Sequence, residues 1–168
     1  MASTARSERP DFLPGYGLET KPHDTTTFTW ADAEEHLNRS RNYWIASVRS
    51  SGRPHAMPVW GVWLDGALLF STDADSVKGR NLLERPEIVA HLESGDDVVI
   101  LEGRAEVLRD RAALERFVDA YDAKYSIRVD VDNPSFTVFA LRPSRALAWV
   151  EKDFPGTATR WRLDGQGE

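Results

Sequence analysis

Small hydroxyl and basic residues are concentrated in one short stretch of the sequence, FSTDADSVKGRN at positions 70–81. Hydroxyl groups and charged amines or guanidines hold phosphate groups in proteins through charge-assisted hydrogen bonds. The candidate ligands in this stretch are Ser71, Thr72, Ser76, Lys78 and Arg80. Because polar residues elsewhere are scattered, this stretch is the strongest candidate for a ligand site, and the ligand that it predicts is an anion.

The neighbouring pattern places this stretch where a strand ends and a helix begins. A strand is predicted over 67–71 and a helix over 75–84, with Asp73 or Asp75 as its cap. Lys78 then falls in the first helical turn, where a cation opposes the positive end of the helix dipole, and a bound phosphate would reverse that penalty. The alternative is an ordinary surface helix with an unfavourably placed lysine, and the residues alone leave both possibilities open.

The rest of the chain predicts antiparallel strands joined by short turns. Besides 67–71, the predicted strands lie at 43–49, 55–64, 88–93, 98–108, 135–142, 145–151 and 157–163. Asp65 and Gly66 are typical of a type I′ hairpin, in which both turn residues need positive φ. Further helices are predicted over 30–40 and 110–125. Many short strands with few helices indicate a mainly β fold, a closed or nearly closed barrel with flanking helices.

Length and composition fit one domain with a hydrophobic core. Of 168 residues, 41% are hydrophobic and 29% charged, which is an ordinary balance for a soluble protein. Residues 1–25 are predicted to form an extended arm, and 26–168 a single domain. No apolar stretch approaches the roughly 20 residues that cross a membrane, and no signal peptide is visible at the N-terminus, so the expected compartment is the cytoplasm.

Several kinds of site are disfavoured by what the sequence lacks. There are no cysteines, so disulfides, thiolate nucleophiles and thiol-ligated zinc are excluded. The four histidines show no metal-binding spacing, no G-x-S-x-G motif is present, and the glycine pattern at 15–17 lacks the third glycine of a dinucleotide-binding loop. A net charge of −6 disfavours general nucleic-acid binding. We therefore expect no metal site, and no nucleic acid or membrane as a partner.

Six tryptophans make an aromatic surface a second candidate for binding. Trp60 and Trp63 lie three positions apart on one predicted strand, and because this spacing is odd they should point to opposite faces. One of the two is expected to meet a partner surface or a planar cofactor, and packing in the core or between subunits is the alternative.

Taken as a set, five segments resemble the pyridoxamine 5′-phosphate oxidase-like split-barrel superfamily. They are SVRSSGRPHAMPVWGVW, LLFST, SVKGRNLLERP, VVILEGRAEVL and TATRWRL, which together span residues 29–163 with their surroundings. The resemblance is closest to the actinobacterial branch of flavin- and deazaflavin (F420)-dependent oxidoreductases. It implies a six-stranded antiparallel split β-barrel like that of FMN-binding proteins, which works as a homodimer with the cofactor at the interface.

The resemblance also implies which residues hold the cofactor. Those that would line the flavin ring, largely through backbone groups, are His55, Met57, Pro58, Val59 and Trp60. Those that would hold the phosphate or support its loop are Ser71, Thr72, Ser76, Lys78 and Asn81. Arg160 and Trp161 would close over the site, from the same subunit or the other. Relatives often have arginine where this chain has Val77, so one phosphate contact is either missing or supplied by Arg80.

The activity implied by the resemblance is hydride transfer from coenzyme F420 to a small conjugated or unsaturated substrate. The acidic tail of F420 favours further cations, for which Arg80, Arg160 and Arg162 are candidates. The first alternative is an FMN-binding oxidoreductase on the same barrel, and the second is a non-catalytic flavin- or haem-binding protein. The tail lacks the histidine of true pyridoxamine phosphate oxidases, so vitamin B6 oxidation is not expected. No side chain is assigned as catalytic.

Overall fold

The computed structural model describes residues 5–10 and 28–163. Within them lie eight strands: β1 (Ala5–Glu8), β2 (Asn42–Val48), β3 (Pro54–Leu64), β4 (Ala67–Thr72), β5 (Glu87–His91), β6 (Asp97–Val107), β7 (Thr137–Val150) and β8 (Thr159–Leu163). The helices are α1 (Trp30–Arg39), α2 (Val77–Glu84), α3 (Arg111–Tyr125) and α4 (Phe154–Thr157), with a 3-10 turn at Glu151–Asp153 before α4. Most predicted elements are confirmed to within two residues.

Six strands close into an antiparallel barrel in the order β7-β4-β3-β2-β5-β6, because β6 pairs back onto β7. The strands β8 and β1 extend the sheet from the C-terminal half of β7. The ladder between β3 and β4 begins only at Gly61 and Phe70, so the preceding part of β3, residues 54–60, pairs with β2 alone. The mainly β, six-stranded antiparallel barrel implied by the sequence is confirmed, and the wall opens between β3 and β4.

Strand β7 is one continuous strand where the sequence predicts two. Glu102 pairs with Arg145 and Gly103 with Pro143, so Ser144 is an extra residue opposite no partner. Such a bulge reverses which alternate residues face the interior, so Leu141 before it and Ala146 after it both lie in the core. The prediction was wrong because it treated the proline as the end of a strand, and the bulge accommodates it.

The hydrophobic residues form two clusters, one inside the barrel and one under α3. The interior cluster is built from alternate residues of the strands and includes Tyr43, Ile45, Phe70 and Phe139. The second cluster lies between the outer face of β3, β4 and β7 and the apolar side of α3, including Phe117. Helix α1 packs against β3 and β6, and α2 against β2 and β6. The barrel therefore has helices at both ends and α3 on part of its wall.

A partly buried lysine fastens α3 to the barrel. Lys124 Nζ donates hydrogen bonds to Tyr43 Oη (2.7 Å) and to the Gly61 carbonyl (3.1 Å). Burial lowers the pKa of Lys124 to about 8 and raises the pKa of Tyr43 above its ordinary value. The hydroxyl of the next residue, Tyr125, accepts a hydrogen bond from the Gly61 N–H at 3.0 Å. Two side chains of one helical turn therefore bind the backbone N–H and C=O of Gly61, at the edge of the split.

Two further predictions concern the hairpin turn after β3 and the N-terminal arm. Asp65 and Gly66 both have positive φ (52° and 72°), which confirms the predicted hairpin turn. Of the predicted N-terminal arm, residues 5–8 form β1 and pair with β8, whereas residues 1–4 and 11–25 lie outside the described residues. In the described part of the chain, no helix has the length and apolar character needed to cross a membrane.

The bulge gives a direct test of how the barrel closes. A Cβ atom on Gly103 would overlap the Arg142 carbonyl oxygen and lie 2.8 Å from Pro143 Cα, and neither backbone atom can move aside without distorting β7. We expect Gly103→Ala to reduce the free energy of unfolding by about 1–3 kcal/mol in urea denaturation. The matched control is Gly95→Ala, where a Cβ would meet no atom within 4 Å, and its effect should stay within about 0.5 kcal/mol. Equal effects of the two substitutions would contradict this account of the bulge.

Candidate functional site

The predicted anion-binding residues lie at the barrel end where α2 packs. Ser47 on β2 pairs in register with His55 on β3, and alternate residues of β2 on the same face as Ser47 lie in the interior cluster. Asn81 of α2 is buried and donates a hydrogen bond from Nδ2 to Ser47 Oγ at 3.0 Å. Asn81 therefore fixes α2 against β2, which fits the supporting role that the sequence resemblance implies.

The first turn of α2 is capped by Ser76. Its Oγ accepts the Gly79 N–H at 2.9 Å and lies 3.1 Å from Thr72 Oγ1, where either hydroxyl can be the donor. The prediction that Asp73 or Asp75 caps the helix is wrong, because Asp73 Oδ1 instead accepts the Asp75 N–H within the preceding loop. The loop packs so closely on the helix that a Cβ on Gly79 would lie 2.7 Å from the Ala74 carbonyl oxygen.

This arrangement leaves donors for a ligand. The N–H groups of Val77 and Lys78 stand at the start of α2, where a helix has no internal partners for them, and they have no hydrogen-bond partner among the described residues. The dipole of α2 adds partial positive charge at the same place.

Two cationic side chains, Lys78 in the first turn of α2 and Arg49 after β2, act on the same imidazole and have no counter-ion among the described residues. Lys78 is partly buried, and burial lowers its pKa. Arg49 follows β2 in the turn to β3, and its charge and that of Lys78 both act on His55. Among the ion pairs of the described residues, neither Arg49 nor Lys78 takes part in one. A partly buried cation without a carboxylate is unfavourable, and an anionic ligand removes that penalty.

The imidazole of His55 is the third member of this cluster. Its Nδ1 atom is buried and has no hydrogen-bond partner, although the ring as a whole is partly exposed. Desolvation lowers the pKa of His55, and the charges of Arg49 and Lys78 lower it further. A buried polar atom without a partner costs about 1–3 kcal/mol, so this nitrogen marks the site as incomplete in the protein alone.

The predicted ring-binding segment borders this cluster along the split. Met57 and Pro58 are exposed, and the stretch from His55 to Trp60 has a strand partner on one side only. Its other backbone edge is open to a ligand. The side chain of Val59 differs, since it is buried in the interior cluster.

The rings of Trp60 and Trp63 point to opposite faces of β3, as the spacing predicts. Trp63 lies in the interior cluster, and its Nε1 donates to Glu34 Oε1 at 3.2 Å. Trp60 stacks on Tyr125 with ring centroids 4.8 Å apart and planes 5° apart, and the Arg41 guanidinium lies 5.0 Å from its centroid. Trp60 is therefore already stacked on a side chain of its own subunit.

Four predicted site residues are not brought to the cations within one chain. Ser71 pairs with Val138 and so lies on the α3 side of β4, opposite to Thr72. The Arg80 guanidinium donates to the Asp75 carbonyl oxygen and is exposed.

The two residues of β8 also lie elsewhere. Arg160 pairs with Glu8 at 3.6 Å, on a strand separated from β2 by β7, β6 and β5. Trp161 is 2% exposed and packs edge-on against Trp30 and Phe28 in the core. Within the chain, Trp161 therefore completes the core of the barrel, and Arg162 also pairs with Glu8, at 3.3 Å.

Two residues of the cluster, Ser47 and Arg49, were not predicted. Both lie on β2 or directly after it, at the same alternation as Tyr43 and Ile45, and Ser47 pairs with His55. Counting alternate positions on both sides of the turn at Gly52 would have placed Ser47 and Arg49 on the same face as His55. The sequence does not show where α2 packs, so it could not show that Lys78 also acts on His55.

A comparison with protein families agrees with this architecture. The family model described as pyridoxamine 5′-phosphate oxidase matches residues 29–150, which is most of the chain. The chain belongs to the pyridoxamine 5′-phosphate oxidase family. No curated protein sequence matches it.

Several solved structures share the fold at low sequence identity. A conserved hypothetical protein from Mycobacterium tuberculosis is 23% identical, with a TM-score of 0.65 over 79% of this chain and 89% of that one. A haem-binding protein from Mycobacterium smegmatis is 24% identical, with a TM-score of 0.57 over 74% of this chain and 54% of that one. An F420 reductase is 23% identical, with a TM-score of 0.54 over 67% of this chain and 94% of that one.

Proposed function

We propose that the chain is an oxidoreductase that uses coenzyme F420, a deazaflavin, to transfer hydride to a small conjugated or unsaturated substrate. The observation that carries this proposal is a pair of cations, Lys78 and Arg49, that have no counter-ion among the described residues and act on His55 at the split of a barrel from a flavin-related family. The proposal places the phosphate of the cofactor at these residues and its ring along the open edge of β3.

The groups present fit a phosphate. Lys78 and Arg49 supply positive charge, Thr72 supplies a hydroxyl, and the N–H groups of Val77 and Lys78 supply backbone donors. Ser76 contributes indirectly, because its oxygen caps the helix and thereby orients these N–H groups.

The chain itself would bind and orient the cofactor and keep water away. When bound, a deazaflavin supplies a hydride carrier, which is chemistry that protein side chains lack. The exposed backbone edge from His55 to Trp60 offers N–H and C=O groups to a planar ring, and exposed Met57 and Pro58 offer apolar contact beside it.

Two further arginines favour F420, whose tail is a chain of carboxylates. Arg53, in the turn before β3, and Arg80, on α2, are both exposed on elements that carry the cation cluster. They are suitable partners for an acidic tail that runs into solvent, whereas Arg160 and Arg162 are engaged with Glu8. An F420 reductase is also among the solved structures that share this fold.

FMN is the second candidate, and the number of cations favours it. A phosphomonoester carries close to two negative charges at neutral pH, whereas the phosphodiester of F420 carries one. Arg49, Lys78 and a protonated His55 would balance the larger charge better. A non-catalytic flavin or haem carrier is a third candidate, for which the solved haem-binding protein of the same fold gives the reason to test haem.

We further propose that the protein is a homodimer. One outer face of the barrel, formed by β2, β5, β6 and the C-terminal half of β7, is largely apolar and partly exposed. Its apolar residues are Trp44, Ala46, Val48, Val89, Ile100, Leu147 and Trp149. A groove of about 560 Å³ crosses this face and is bounded by the ion pairs Glu87–Arg104 and Glu102–Arg145.

A second copy of the chain suits this face better than an unrelated partner. Rims with acidic and basic residues in alternation are self-complementary about a two-fold axis. The groove also includes Val48 and Pro54, which are neighbours of Arg49 and His55 in sequence. A dimer formed here would bring the partner next to the proposed cofactor site.

The cofactor proposal is tested by titrating F420, FMN and haem separately into the purified protein, followed by absorbance and fluorescence. Lys78→Met should weaken binding of the preferred phosphate-bearing cofactor by about 1.5–3 kcal/mol, roughly 10- to 150-fold, because it removes a charged hydrogen bond. Its thermal midpoint should stay equal or rise, since the lysine is partly buried without a counter-ion. The matched control is Lys152→Met, an exposed lysine in the 3-10 turn.

Three outcomes would decide against parts of this proposal. Failure of both F420 and FMN to bind would reject the oxidoreductase assignment. Equal affinities of the two lysine variants would show that the phosphate lies elsewhere. Binding of haem alone would select the carrier.

The dimer proposal is tested by light scattering during gel filtration. We expect the wild-type protein to elute at twice its 18.9 kDa mass. Ala46→Arg, in the middle of the outer face, should yield a monomer, because the new charge would be buried without a partner. Ala112→Arg, on the exposed side of α3, should leave the dimer intact. A monomeric wild type, or a dimeric Ala46→Arg variant, would exclude this interface.

A further inference from the structure

One buried atom is left unexplained by the proposed phosphate contacts, and it is Nδ1 of the His55 imidazole. Its Nδ1 atom is buried without a partner in a chain where no other described side-chain nitrogen or oxygen is in that condition. The sequence resemblance assigns largely the backbone in this segment to ligand binding and gives the His55 side chain no role of its own. The side chain therefore needs its own account.

The two charged groups that act on His55 are both cationic, and they come from different elements. From β2, its register partner is Ser47, whose hydroxyl accepts a hydrogen bond from Asn81, and Arg49 follows two residues later. Lys78 lies on α2. The charges of Arg49 and Lys78 both lower the pKa of His55. Without a ligand, burial and the charges of Arg49 and Lys78 therefore all disfavour the protonated ring.

Arg49 is held in place by the turn that carries it. The Arg49 N–H donates to the Arg53 carbonyl at 2.9 Å, and the Gly52 N–H donates to the Arg49 carbonyl at 2.8 Å. Arg85, which follows α2, donates to the Ser50 carbonyl at 3.2 Å and so ties the same turn to the helix that bears Lys78. The three groups therefore belong to one braced unit.

We propose that His55 and Arg49 bind the same anion as Lys78, and that His55 takes up a proton when the anion binds. An anion between the two cations cancels the repulsion that keeps the imidazole neutral and offers an acceptor for a ring N–H. The inference rests on the anion site of the proposed function and holds for either phosphate-bearing cofactor. It makes His55 the residue that couples cofactor affinity to pH.

The direct test follows the histidine rings by long-range 1H–15N NMR while pH is varied with and without inorganic sulfate. Sulfate stays doubly charged between pH 5 and 9, so any change belongs to the protein. We expect sulfate to raise the pH midpoint of His55 by about one unit. His91, which stacks on Trp44 at 6.3 Å outside the site, is the internal control and should not shift. Lys78→Met and Arg49→Met should each weaken sulfate binding and reduce the shift.

A second readout uses cofactor affinity. In the wild type, affinity for F420 should fall by about threefold or more as pH rises from 6 to 8, and His55→Gln should remove that dependence. Riboflavin, which lacks the phosphate, should bind with no such dependence. Retained signals in the 1H–15N spectrum show that His55→Gln is folded, and Arg49→Met gives an independent test if it is not.

The outcomes separate this inference from the proposed function. A His55 shift with sulfate but no binding of F420 or FMN would support the inference and reject the proposed cofactors. Cofactor binding with no His55 shift, and with the same pH dependence in His55→Gln, would overturn the inference and leave the proposed function intact. Unchanged sulfate affinity in Arg49→Met would exclude Arg49 from the site.

Discussion

The ladder between β6 and β7 is the constraint on which the rest of the structure depends. It closes the barrel, and it does so over strands of 11 and 14 residues that could not stay straight and still curve around a core. The extra residue Ser144 allows the curve, and Gly103 allows the backbones to meet there. Because closure is achieved on this side, β3 and β4 need not pair along their whole length on the other.

The split between β3 and β4 then creates the conditions for binding. The N-terminal part of β3 keeps one free backbone edge, and α2 covers the adjacent barrel end without supplying a carboxylate to Lys78 or Arg49. This end also holds His55 Nδ1, the one buried side-chain nitrogen or oxygen of the described residues without a hydrogen-bond partner. Lys124, by contrast, is buried to a similar degree but is satisfied by Tyr43 and Gly61, which is consistent with a structural role.

Local patterns in the sequence predict much of this arrangement. Alternation of apolar residues and the Asp65-Gly66 turn locate the strands, and the hydroxyl and lysine at the start of α2 locate the candidate site. What local patterns miss depends on contacts between distant segments. The continuity of β7 required knowing that Gly103 faces Pro143, and the place of Trp161 in the core required knowing that β8 pairs with β7. Arg49 was missed for the same reason, since only the packing of α2 on β2 brings it near Lys78.

The central claim is that the barrel end holds cations whose missing counter-ion is a ligand. Its most direct test is the thermal midpoint of unfolding in sodium sulfate against sodium chloride of equal ionic strength, for the wild type and Lys78→Met. Sulfate also raises the midpoint of any protein gradually, because it is excluded from protein surfaces. The account predicts, in the wild type alone, an additional saturable rise of about 3–5 °C at ten times the dissociation constant of sulfate. An equal rise in Lys78→Met, or no difference between the two salts, would contradict it.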